Sequence, residues 1–159
     1  MKVGNIVILA NLGELKVYEA KPRDLEAEAG LKPDHIKLEM INNKNYIESH
    51  KKLHEILTDQ AGRFKGGSQA KGNFSQGSIG EKHTIEQEIE SDVIRDIAKD
   101  ISEIIISKNA PAYLAMPEAI FKRVYEQIDT EAKSKLIKTV EKDFMKVDKS
   151  ELPETISKA

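Results

Sequence analysis

The fold is decided by Val3-Gly4-Asn5-Ile6-Val7-Ile8-Leu9-Ala10-Asn11-Leu12-Gly13-Glu14-Leu15-Lys16-Val17-Tyr18-Glu19-Ala20. Val3 to Leu12 is short, rich in β-branched residues and almost continuously apolar. A strand wetted on one face would alternate, so this run predicts a strand covered on both faces. Asn11-Leu12-Gly13-Glu14 reads as a tight turn, because Asn and Gly tolerate positive φ. Glu14 to Ala20 alternates and returns antiparallel. The run Ile6 to Ala10 is too short for the apolar core of an export signal, and no small-residue cleavage site follows it. Nothing approaches the roughly 20 apolar residues of a membrane span. The expectation is a soluble, cytoplasmic protein that meets no membrane, its first strand starting almost at Met1.

Outward from this hairpin, Lys21 to Asp34 is punctuated by Pro22, Gly30 and Pro33, leaving room for a short helical turn between Asp24 and Ala29. Ile36, Leu38 and Met40 alternate with Lys37, Glu39 and Ile41, which predicts a third strand with one wetter face. The first 42 residues therefore read as a three-stranded meander. Tyr46 to Leu57 carries Ile47, Leu53, Ile56 and Leu57 at helical spacing. Gly62 to Gly80 holds six of the nine glycines, and its only charges are Arg63, Lys65 and Lys71. That much backbone entropy argues against a packed helix or a central strand, so residues 62–80 read as a long loop of local positive charge.

Thr84 and Gln87 have capping-box spacing. From there Ile85, Ile89, Val93, Ile97, Ile101 and Ile104/Ile105 recur at three- and four-residue intervals, predicting an amphipathic helix from Thr84 to Ser107 closed by Asn109-Ala110-Pro111. Ala112 to Met116 is a buried strand between prolines. Pro117 opens a helix with Ala119, Ile120, Val124 and Ile128 inward. Asp129 or Thr130 caps a further short helix, Leu136 to Phe144 forms an edge strand, and Leu152 and Ile156 dock the tail. The fold class is α/β: one domain over residues 1–159 with a mixed central sheet that opens with a three-stranded antiparallel meander, helices packed on it.

The 159 residues are 39% hydrophobic and 33% charged, with 25 basic against 27 acidic side chains. This balance fits a globular chain and excludes a globally basic nucleic-acid clamp, though not a local basic patch. With no cysteine, disulfides, thiolate metal sites and cysteine nucleophiles are excluded. His50 and His54 share a helix face, but the lysines between them repel a cation and no third ligand is apparent, so a solvated face is the better reading. His35 and His83 are assigned no chemistry. A two-metal nuclease on a ribonuclease-H-like sheet needs converging carboxylates, whereas Asn11 stands at the end of the first strand and Ala112 to Met116 ends without an acid. Ser68, Ser75 and Ser78 lack a nucleophile-elbow context, and the glycines match neither phosphate-binding fingerprint. No metal and no cofactor is assigned.

Gly66-Gly67 has two readings, a plain flexible linker or a place where backbone approaches a ligand closely. Arg63, Lys65 and Lys71 suit a phosphate backbone. Phe64 and Phe74 suit base stacking or anchoring, and Gln69 supplies an amide that both donates and accepts.

Residues 49–64, Ser49-His50-Lys51-Lys52-Leu53-His54-Glu55-Ile56-Leu57-Thr58-Asp59-Gln60-Ala61-Gly62-Arg63-Phe64, resemble the segment of bacterial host attachment proteins that leads into an Asp-Arg-Pro-Gly-Arg-x-Phe-like motif. Asp59, Gly62, Arg63 and Phe64 match, and Gln60-Ala61 stands in place of Arg-Pro. The opening hairpin, loop and long helix fall in the family's order. That family is similar in turn to the middle domain of archaeo-eukaryotic peptide-chain release factors, which implies a ribonuclease-H-like sheet. In those factors a Gly-Gly-Gln loop helps water attack the peptidyl-tRNA ester. Here Gly66-Gly67-Ser68-Gln69 stands at the corresponding place, with Ser68 displacing Gln69 by one residue. The resemblance therefore implies a release-factor-like module more than an esterase.

The leading expectation is a module presenting residues 62–80 to tRNA or ribosomal RNA, with Arg63, Lys65 and Lys71 on phosphates, Phe64 stacking, Gly66 and Gly67 giving close approach, and Gln69 as the candidate catalytic amide if peptidyl-tRNA ester is hydrolysed. The alternative is a non-enzymatic factor that acts on host attachment indirectly, through a protein partner.

Overall fold

The computed structural model describes residues 1–47 and 73–159, with side chains for 1–47 and 87–159. Strand β1 (Ile6–Ala10) is buried along its whole length, every residue at 1% exposure or less. It begins at Ile6, later than the apolar run alone predicts. Gly4 turns the chain at φ +90°, and Asn5 Oδ1 accepts the Lys2 amide at 2.8 Å, so Val3 and Gly4 form a turn before the strand.

The hairpin to β2 (Glu14–Pro22) closes as expected, by a different device. Neither Asn11 nor Gly13 enters the left-handed region. The Asn11 side-chain oxygen instead accepts the amides of Gly13 and Glu14, each at 2.8 Å, while Asn11 N–H donates to Glu14 O at 3.0 Å. A carboxamide that replaces a backbone acceptor in this way makes an Asx turn without positive φ. The short helix α1 (Leu25–Glu28) is capped by Asp24, whose Oδ1 accepts the Ala27 amide at 2.8 Å.

Strand β3 (Ile36–Asn45) pairs antiparallel with β2 and outruns the predicted strand. Its register shifts opposite Val17/Tyr18, where Ile41 is the extra residue. This bulge explains the broken alternation: Leu38 packs on one face of the sheet and Ile41 on the other.

Helix α2 (Asn73–Lys108) overturns one boundary of the sequence reading. Phe74, Ser75, Gly77, Ser78 and Gly80, read as loop, lie in the helix, and Thr84 is interior to it rather than its cap. An interior glycine costs only about 1 kcal/mol relative to alanine. Extending a helix already nucleated on packed turns needs no new nucleus, so its two glycines do not stop it. At its other end Asn109, at φ 49°, closes the helix as read.

Strand β4 (Ala112–Ala115), helices α3 (Glu118–Gln127) and α4 (Thr130–Ser134), strand β5 (Leu136–Val140) and helix α5 (Leu152–Lys158) complete the order. The sheet has five strands in the order β3-β2-β1-β4-β5, with β1, β4 and β5 parallel and β1–β2–β3 antiparallel. The predicted mixed sheet with helices packed on it is therefore observed. The edge strand stops at Val140, because Phe144 leaves the sheet to pack against its face.

Alternation along β1 splits the core into two layers. Ile6, Ile8 and Ala10 meet Val93, Ile94, Ile97, Ile101 and Ile105 of α2 and Ile120 and Val124 of α3. Val7 and Leu9 meet Tyr18, Leu38, Phe144, Leu152 and Ile156. Within the helical layer the buried Ser102 hydroxyl is satisfied: Ser102 Oγ donates to Ala98 O at 2.8 Å and accepts the Asp129 amide at 3.0 Å, tying α2 to the start of α4.

Candidate functional site

Asp59, Gly62, Arg63, Phe64, Lys65, Gly66, Gly67, Gln69 and Lys71 all lie outside the described residues, as do His50 and His54. Phe74 and His83 lie on α2. What the structure does describe is where this segment leaves the sheet, at the end of β3, and where it rejoins the fold, at α2.

The departure point is built on Gly13. Its carbonyl accepts the amides of Tyr46 at 2.8 Å and Ile47 at 3.4 Å. A side chain at this position would put its Cβ 3.2 Å from Ile47 Cδ1 and 3.3 Å from Asn11 Oδ1, so glycine serves close approach here. Tyr46 is then driven into the helical layer at 1% exposure.

A buried phenol needs a partner, and Tyr46 finds one far away in sequence. Its hydroxyl donates to Asp100 Oδ2 at 2.7 Å. Lys44 Nζ donates to the same oxygen at 2.8 Å and lies 5.3 Å from the centroid of the Tyr46 ring. Burial, and next the hydrogen bond to the Asp100 carboxylate, push the Tyr46 hydroxyl well above its ordinary pKa. It therefore keeps its proton across the physiological range, where it can hold its hydrogen bond to Asp100. Asp100 sits on α2, so a single carboxylate ties the entry of the segment to the helix that receives its exit. At about 1.5 Å per residue, α2 is about 54 Å long, against about 17 Å for a five-residue strand.

The sheet's own end offers little chemistry. Asn11 is committed to the hairpin turn, and β4 runs into Met116 and Pro117. Among the described residues no three His, Cys, Asp or Glu side chains gather to hold a metal ion. The open depression along Gln87, Glu88, Ser91, Asp92 and Arg95 belongs to one helix. Its arginine lies 3.4 Å from Asp92. Farther along, Arg123 of α3 reaches Glu90 at 3.1 Å, bracing α3 against α2.

Sequence reasoning missed the Lys44–Tyr46–Asp100 cluster. The available signal was Asp100 itself, a carboxylate directly beside Ile101 at the border of the apolar stripe. No described helix is long and apolar enough to cross a membrane.

One family of sequences, described as "Protein required for attachment to host cells", matches residues 6–156, from the first residue of β1 into α5. No curated protein and no solved structure matches the chain.

Proposed function

Because the chain belongs to the family of proteins required for attachment to host cells, we propose on that premise that it is a cytoplasmic module, similar to the release-factor middle domain, which presents residues 62–80 to tRNA or ribosomal RNA. The observation that carries this reading is charge. From Gln60 to Gly80 the chain holds Arg63, Lys65 and Lys71 and not one carboxylate, although the whole protein carries a net charge of −2. Phosphates are the partner such a segment suits, because each contact releases condensed counterions. The anchors at Gly13 and Tyr46 support it, since an ordered root limits the entropy lost when the segment binds. A meander followed by parallel strands, with a long helix between them, is the arrangement a ribonuclease-H-like scaffold calls for. In this reading Phe64 stacks on a base, and Gly66 and Gly67 let backbone approach the RNA.

The test is salt-dependent binding of the full chain to deacylated tRNA and to purified ribosomes. Replacing Arg63, Lys65 and Lys71 together by Ala is expected to weaken binding and to reduce the slope of log K against log salt by about 2 to 3. Unchanged affinity and slope would overturn the reading. Gln69→Ala is expected to leave binding intact, and it removes ester release only if Gln69 positions the attacking water.

A second reading is a non-enzymatic factor that promotes attachment indirectly through a protein partner; the family's description supports the attachment part of it. A pull-down that resists RNase and survives the triple Ala replacement would favour that reading over RNA.

A further inference from the structure

Strand β3 is one of the two edges of the sheet, and backbone bonds fix which of its groups face outward. Gly4 N–H donates to Ala20 O at 2.9 Å and Ala20 N–H to Asn5 O at 2.8 Å, so Ala20 turns its polar groups away from β3. Neighbouring residues of a strand alternate. Glu19 and Lys21 therefore face β3, where they stand opposite Glu39 and Lys37. Arg23 N–H, which donates to His35 O at 2.9 Å, keeps the same parity. It follows that Ile36, Leu38 and Met40 direct their amides and carbonyls to the open edge. Among the described residues nothing pairs with them.

The charges on this edge are wrong for the chain's own sheet. Glu39 faces Glu19 and Lys37 faces Lys21, and like charges directly opposite one another are unfavourable. Lys21 Nζ lies 3.1 Å from Glu19 Oε2, so the two charges on β2 satisfy each other. Lys37 and Glu39 are exposed and make no ion pair among the described residues.

We propose that two copies of this chain join edge to edge, β3 antiparallel to β3, about a two-fold axis through Leu38. That axis sets Lys37 opposite Glu39 of the second copy, and Glu39 opposite Lys37, so both mismatched charges meet an opposite sign. It sets Leu38 against Leu38 and Ile36 against Met40, the latter 44% exposed in the single chain. The parity also fits. Ile36, Leu38 and Met40 are the residues whose amides and carbonyls point outward, so each finds its counterpart across the axis. The bulge at Ile41 ends the regular edge on one side. On the other, His35 has already spent its amide on Lys32 O at 3.1 Å and its carbonyl on Arg23. The five residues between these limits are centred on Leu38. Self-complementarity of this kind is what a closed two-fold interface requires.

The experiment is sedimentation velocity of the full chain across a concentration series, with far-UV circular dichroism to confirm folding. Wild type is expected to show a monomer–dimer equilibrium. Lys37→Glu alone, or Glu39→Lys alone, turns both cross-axis pairs into like-charge pairs and is expected to weaken the dimer at least about tenfold. Two recoveries distinguish this contact from any other. The double replacement Lys37→Glu with Glu39→Lys restores self-association. Mixing the two single variants yields a heterodimer, because each then offers the charge that the other lacks. A wild type that stays monomeric throughout, or a dimer indifferent to both single replacements, would overturn the proposal.

Discussion

Strands β1 and β3 belong to one sheet and obey different rules. Every residue of β1 is apolar and at 1% exposure or less, with helices on one side and the C-terminal segment on the other. Of the ten residues of β3, only Leu38 is buried. Burial on both faces dictates that β1 be apolar, with side chains that fill the two core layers. In β3 what matters is pairing: which amides face out, which charges face each other, and where the bulge falls. Sequence composition reads the first kind of strand well and the second poorly.

The contrast is tested most strongly by removing matched amounts of side chain. Ile8→Ala, at 0% exposure between the helical layer and the sheet, is expected to cost about 2 to 5 kcal/mol, as the lost transfer energy and the residual cavity add. Met40→Ala on β3 is expected to cost under about 1 kcal/mol, because its side chain is already half in water. Urea unfolding of the two variants measures both. Equal losses would mean that the two strands do not differ in what holds them.

Tyr46 lies where the exposed strand rejoins the packed interior, and its replacement should fall between those extremes. Tyr46→Phe removes the donor to Asp100 while Lys44 still serves that carboxylate. The expected cost is about 1 to 2 kcal/mol. The pH dependence has a definite sign. The fold raises the phenol above its ordinary value of 10.0, so the folded state holds that proton more tightly than the unfolded chain does. Its contribution is fully present below pH 10.0 and is lost as pH rises further. Thermal melts should therefore show a constant gap between wild type and Tyr46→Phe up to that point and a narrowing gap beyond it. A gap that widens at alkaline pH would contradict the assignment of the phenol as a buried donor.

The parts that could be read from sequence share a cause. The strand at Ala112, the helix opened by Pro117, the closure at Asn109 and the docking of Leu152 and Ile156 all follow from local periodicity bounded by proline or asparagine. The misreadings have physical causes too. Gly77 and Gly80 read as loop because propensity is counted residue by residue, whereas helix extension is cooperative. Gly13 read as a positive-φ turn because composition does not reveal that the Asn11 side chain does the accepting. The Tyr46–Asp100 bond joins residues 54 apart, and no local pattern encodes it. As for the candidate RNA contacts, the resemblance supplied the motif and the charge count supplied the partner chemistry.

The smallest expected effect separates the two roles of β3. Glu39 stands opposite Glu19, so in a lone chain Glu39→Lys exchanges a like-charge pair for an opposite one. At a concentration where wild type is monomeric, the variant should gain a few tenths of a kcal/mol and at most about 1 kcal/mol. The same replacement is expected to weaken self-association. Stability of the single chain and affinity between copies would then move in opposite directions from one exposed side chain. A strand shaped only by its own sheet would show no such opposition, since a charge that suits the monomer would have no second partner to disappoint. Loss of both quantities together would mean that Glu39 supports β3 itself, and that its apparent mismatch with Glu19 is relieved within the chain.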